Sequence, residues 1–168
     1  MVNPAIRRPA RTQSGFTMVE TMVVVMILAI LAAFAAPAMK DLIRTQRVRT
    51  AAYDLLADLT FARSQAITKG HNVVFASAAA STDWSTGYTL TDTTASPNVT
   101  LRTQSAVDPS IAFTADQSTL TFDRSGRISV GTVSFNIAPT DATAPAMEKR
   151  CVRIDPSGRP RAVEGVCS

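Results

Sequence analysis

A nearly unbroken apolar run from Phe16 to Met39 follows a short leader that carries Arg7, Arg8 and Arg11 and ends at Gly15. The run meets the length of about 20 residues that a membrane-crossing helix needs. An ordinary secretory signal places its small-residue cleavage site after the apolar stretch, so the stretch is discarded. Here the glycine precedes it. Cleavage after Gly15 leaves the apolar segment on the mature chain and exposes a new amine on Phe16. One acid, Glu20, interrupts the run, and a lone carboxylate in hydrocarbon is unfavourable unless it is paired.

The helical pattern continues past the apolar run. Leu42, Ile43, Val48, Tyr53, Leu55, Leu56, Leu59, Ala62 and Ile67 recur at spacings of three and four, as one buried stripe requires. Asp54, Asp58 and Arg63 fall between them, Pro37 is placed to kink the helix, and Gly70 ends it. This predicts one helix over about 17–69, greasy in its first half and amphipathic in its second. After Gly70 the pattern changes to short β-branched segments bounded by turn residues: 72–76, 87–91, 99–103, 119–123, 131–136 and 150–154. Ser125-Gly126 and Ser157-Gly158 mark tight turns, and 138–147 reads as an exposed loop. The expected fold class is α+β, with a long N-terminal helix packed on an antiparallel β-sheet domain. The expected division is a leader at 1–15, an apolar transmembrane or filament-core helix at 16–39, and a globular domain at 40–168. That domain is made of an amphipathic helix at 40–69 and a sheet domain at 70–168.

Catalytic constellations are missing from the pattern. No glycine-rich phosphate loop, Gly-x-Ser-x-Gly elbow or His-Glu-x-x-His occurs. His71 is the only histidine, so a His-rich metal site cannot be built, and it reads as a capping or surface residue. The sequence therefore points away from an enzyme and names no cofactor and no metal. Seventeen Lys and Arg against thirteen Asp and Glu give a net charge of +4, which permits an anionic partner without requiring one. Cys151 and Cys167 are the only cysteines. In an oxidising compartment such a pair defaults to a disulfide.

The segment Gly15-Phe16-Thr17-Met18-Val19-Glu20, with a basic leader before it and an apolar helix after it, resembles the class III signal of type IV pilins and pseudopilins. In that family a prepilin peptidase cuts after the glycine and methylates the new N-terminal phenylalanine. The resemblance implies Gly15 as the cleavage residue, Phe16 as the methylated terminus and Glu20 as the assembly carboxylate. Glu20 keeps two readings. It can snorkel to water at the membrane surface, or it can neutralise the Phe16 amine of a neighbouring subunit in a parallel helical assembly. Asp83-Trp84-Ser85-Thr86-Gly87-Tyr88, Leu120-Thr121-Phe122-Asp123-Arg124-Ser125-Gly126-Arg127 and Leu59-Thr60-Phe61-Ala62-Arg63-Ser64-Gln65-Ala66 resemble the GspH/FimT family, whose members are minor subunits of pili or of type II secretion machines. That resemblance implies a protein held once in the inner membrane, its C-terminal domain periplasmic, that joins other pilins through its helix and then enters an extracellular pilus.

The C-terminal segment from Lys149 to Cys167 places Lys149, Arg150, Arg153, Arg159 and Arg161 around the turn sequence Asp155-Pro156-Ser157-Gly158. A hairpin or ordered loop is expected there, with Arg159 and Arg161 near its tip and a Cys151–Cys167 staple. Gly158-Arg159-Pro160-Arg161 resembles the Gly-Arg-x-Arg element associated with DNA binding in FimT-type minor pilins of natural competence. The resemblance implies a tip subunit that binds double-stranded DNA through these residues. The segment holds no stacking aromatic, so the contacts expected are to the phosphate backbone. The same arginines fit a minor pilin that only primes assembly, where they are solvated or pair with a neighbouring subunit, or a minor pseudopilin of type II secretion.

Overall fold

A computed structural model describes residues 15–141 and 148–167, without the side chains of 35–38. The leader up to position 14, residues 142–147 of the expected loop and the expected effect of Pro37 lie outside what is described. Two compact units divide between Lys40 and Asp41.

Helix α1 runs from Met18 to Lys69. In the first unit the described side chains from Met18 to Phe34 are all exposed. Taken singly, no helix among the described residues is long and apolar enough to cross a membrane. The segments Met18–Phe34 and Met39–Lys69 together meet that test by length and composition.

The second unit holds the rest of α1 and eight strands. These are β1 (Val73–Ser77), β2 (Tyr88–Asp92), β3 (Val99–Gln104), β4 (Ile111–Ala115), β5 (Thr119–Phe122), β6 (Val133–Pro139), β7 (Arg150–Ile154) and β8 (Pro160–Glu164). They form two antiparallel four-stranded sheets, ordered β3-β2-β1-β5 and β4-β6-β7-β8. The α+β class expected from the pattern therefore holds, but one expected sheet is two. Strands β4 and β8 add to those legible in the sequence, and β6 extends through Ala138 and Pro139 into the expected loop.

The buried stripe of α1 is Val48, Ala52, Leu55, Leu59, Ala62 and Ala66, at alternating spacings of four and three. This corrects the expected stripe. Leu42, Ile43, Tyr53 and Ile67 are exposed, and two alanines take their place. Strands β1, β2 and β4 alternate buried and partly exposed residues, as a sheet with one covered face requires. The inward faces of both sheets share one core with the α1 stripe. Five rings form its centre. Trp84 stacks on Phe75 at 5.4 Å and meets Phe135 edge-on at 5.1 Å, while Tyr88 and Phe113 complete the group. The buried indole satisfies its N–H by donating to the Gln117 carbonyl at 2.9 Å.

Asp58, which falls between the apolar positions of α1, is 3 % exposed. The Tyr88 hydroxyl donates to it at 2.8 Å, and the Arg102 guanidinium pairs with its other oxygen while lying over the Phe61 ring. A buried carboxylate is tolerated because it is both paired and hydrogen-bonded.

Candidate functional site

Two regions carry the residues singled out by sequence. The first is the start of α1. Thr17 acts as its N-cap: the Glu20 backbone N–H donates to Thr17 Oγ1 at 3.2 Å, and the Thr21 N–H donates to the Thr17 carbonyl at 3.2 Å. Glu20 thus stands in the first helical turn, where the positive end of the helix dipole favours an anion. The spacing Thr-x-x-Glu is a capping-box pattern, a second reason for an acid at this position and one readable from sequence. Gly15 has nothing within 4 Å of where a side chain would begin, and Phe16 is 79 % exposed.

The second region is the C-terminal hairpin. Strands β7 and β8 pair with Arg153 opposite Arg161 and Ile154 opposite Pro160, so the two arginines share one face of the ribbon. Arg153, Arg159 and Arg161 are exposed, and Lys149 is half-buried. Arg150, expected among the DNA contacts, is instead buried. Its guanidinium lies 2.9 Å from Glu164 across the hairpin and also donates to the Lys149 carbonyl at 3.2 Å. Cys151 and Cys167 are joined, with Cα atoms 5.1 Å apart, and the Cys167 N–H donates to the Asn136 side chain at 2.9 Å. The staple ties the end of the chain to the β6–β7 pair.

The hairpin tip is a tight turn. The Gly158 N–H donates to the Asp155 carbonyl at 2.8 Å, and Asp155 Oδ1 accepts from the Arg159 N–H and the Ser157 hydroxyl. The Ser157 hydroxyl chiefly, then the Arg159 amide, holds the Asp155 carboxyl below the usual carboxylate range, with a smaller contribution from the Arg161 charge. Of the two acids in this basic segment, Asp155 is hydrogen-bonded within its own turn and Glu164 is paired with Arg150.

A turn of the same build lies at the end of β5. Asp123 Oδ1 accepts from the Ser125 N–H at 2.7 Å, the Ser125 hydroxyl at 2.6 Å and the Arg127 N–H at 3.1 Å, and the Gly126 N–H donates to the Asp123 carbonyl at 2.8 Å. Gly126 and Gly158 adopt φ of +74° and +75°, where glycine is favoured. The tight turns expected at both Ser-Gly pairs are present. His71, expected to cap or sit at the surface, is half-exposed with Nδ1 2.9 Å from buried Asp92.

Comparison with solved structures gives the minor pilin FimU of Pseudomonas aeruginosa, in a type IV system, at 21 % identity and a TM-score of 0.60, covering 70 % of this chain and 89 % of that one. A second crystal form of FimU gives 22 %, 0.57, 68 % and 91 %. The minor pseudopilin EpsH of the Vibrio cholerae type 2 secretion system gives 13 %, 0.57, 70 % and 97 %. At these identities the likeness is one of fold. Comparison with curated protein sequences gives no match. The prokaryotic N-terminal methylation motif matches residues 10–36. The model of the type II transport protein GspH matches residues 51–158, most of the chain, and the chain belongs to that family of pilin-like proteins.

Proposed function

We propose that this chain is a minor type IV pilin that carries a DNA-binding hairpin. A prepilin peptidase cuts after Gly15 and methylates Phe16. The subunit waits in the inner membrane as a single-pass protein with its globular domain in the periplasm, and then joins the pilus near its tip. Glu20 pairs with the Phe16 amine of a neighbouring subunit. The pair hides two charges that neither subunit could bury alone, and it fixes the register of an interface that does not close on itself. Its role is structural rather than catalytic.

The observation that carries this reading is that one chain joins the N-terminal methylation motif to a GspH-family domain. The hairpin supports the finer part. Arg153, Arg159 and Arg161 are exposed on a stapled ribbon whose two acids are engaged, Asp155 within its turn and Glu164 by Arg150. A pre-ordered ribbon loses little entropy on binding, and natural transformation is the process such a tip subunit serves.

The test is retardation of random-sequence duplex DNA by the full chain in a nonionic detergent. Wild type should bind at low salt, and Arg159→Ala with Arg161→Ala should weaken binding and flatten its salt dependence. Absence of retardation at low salt removes the DNA reading and leaves an assembly-priming minor pilin. A second reading, a minor pseudopilin of type II secretion, is favoured by the matched family's own description and by the likeness to EpsH. Recovery of the chain from sheared pili supports the first reading, and loss of secretion with intact pili in a deletion strain supports the second.

A further inference from the structure

The two Asp-x-Ser-Gly-Arg turns are in direct contact. A side chain begun at Gly158 would meet the Gly126 carbonyl oxygen at 1.9 Å. The Ile128 N–H donates to the Pro156 carbonyl at 3.3 Å, which joins the turns a second time. Arg63 reaches from α1 to the seam and donates from Nε to the Gly126 carbonyl at 3.1 Å. The β5 turn belongs to one sheet and the β7–β8 turn to the other, so the seam brings the ends of both sheets together.

This contact places Arg124 and Arg127, both exposed, beside Arg159 and Arg161 at one end of the domain. The two acids of the turns stay ionised and offset half of that charge, so four arginines against Asp123 and Asp155 leave the two turns a net charge of +2. Asp123, like Asp155, spends its carboxylate on the hydroxyl and amides of its own turn. We propose that the β5 turn is the second half of the anion-binding surface, with Arg124 and Arg127 contacting the phosphate backbone of duplex DNA together with Arg159 and Arg161. Neither turn contains an aromatic ring to stack on a base, so the site reads backbone and not sequence. The seam makes the surface rigid, since neither turn can shift without the other. This inference rests on the DNA reading above and extends it to residues outside the C-terminal segment.

The experiment measures the affinity of the full chain in nonionic detergent for a random-sequence duplex across a salt series. Each lost phosphate contact lowers the slope of log K against log salt by about 0.9. Arg124→Gln with Arg127→Gln should therefore reduce the slope by about 1.8. Arg124→Lys with Arg127→Lys should retain most of it, and Arg49→Ala, on a helix face, should leave it unchanged. If the glutamine pair folds poorly, the single variants Arg124→Gln and Arg127→Gln decide the test, each expected to lower the slope by about 0.9. An unchanged slope in the glutamine pair, alongside a reduced slope in the Arg159→Ala and Arg161→Ala pair, overturns this inference and leaves the DNA reading standing. No binding by wild type overturns both.

Discussion

Gly158 presses its Cα against the carbonyl oxygen of Gly126, so closely that a methyl group would lie 1.9 Å from that oxygen. Relief by side-chain motion is not available, because the obstacle is backbone. Gly158→Ala also forces a left-handed residue at φ +75°. Left-handed strain and overpacking together predict a loss of about 2–5 kcal/mol. A urea melt checks it, and a variant as stable as wild type would show that the turns do not touch in solution.

Tyr88 and Asp58 join β2 to α1 inside the core. Burial chiefly, with the Asp58 charge beside it, pushes the Tyr88 hydroxyl far above its ordinary range. Tyr88→Phe leaves the buried carboxylate without one of its two partners. The expected loss is about 1.5–3 kcal/mol, the range for hydrogen bonds to charged groups. Chemical denaturation measures it, and a change under 0.5 kcal/mol, about the size of a neutral surface substitution, would mean that water replaces the phenol.

Four Asp-x-Ser turns share one chemistry. At Asp83, Asp108, Asp123 and Asp155 the serine two residues on holds the carboxyl below its usual range, chiefly through its hydroxyl. The unfolded carboxyl has a pKa of about 3.9. Folded pKa values below that mean the unfolded chain takes up protons first as pH falls. The contribution is therefore fully present above about pH 5 and is lost as pH drops through the depressed folded values. Thermal melts against pH should show this acid limb, and Asp123→Asn with Asp155→Asn should make it shallower. An equally steep limb in the double variant would place the acid sensitivity elsewhere.

The disulfide closes a loop of 16 residues, for which the chain-entropy model gives about 3 kcal/mol. Reduction should lower stability by that order. It should also speed hydrogen exchange in β8, an edge strand whose other ties are its pairing with β7 and the Arg150–Glu164 pair. Exchange that rises equally in all strands would show that the staple acts on the whole domain.

Much of this architecture is visible in local pattern. The α1 stripe, the β-branched strands and the Ser-Gly turns follow from spacing and turn chemistry. The parts that escape depend on distant partners. Strand β8 opens with Pro160 and shows no buried alternation, because its pairing with β7 makes it a strand. Ala52 and Ala66 carry little hydrophobic signal, yet both lie fully in the core. The burial of Asp58 follows from Tyr88 and Arg102, distant in sequence. The same holds for the site. Arg159 and Arg161 stand out in a basic run, whereas Arg124 and Arg127 join them only through the seam between two sheets. Arg150 looks like its neighbours in sequence and differs because it lies inward against Glu164.

Under the proposed function, the chain becomes a filament subunit by losing its leader and keeping its apolar helix. The deciding measurement is mass spectrometry of the N-terminal peptide from cells with and without an active prepilin peptidase. A peptide beginning at N-methylated Phe16 is expected in the first case and an intact leader in the second. An intact leader in cells with the active enzyme, or a cut beyond Met39, would overturn the pilin reading.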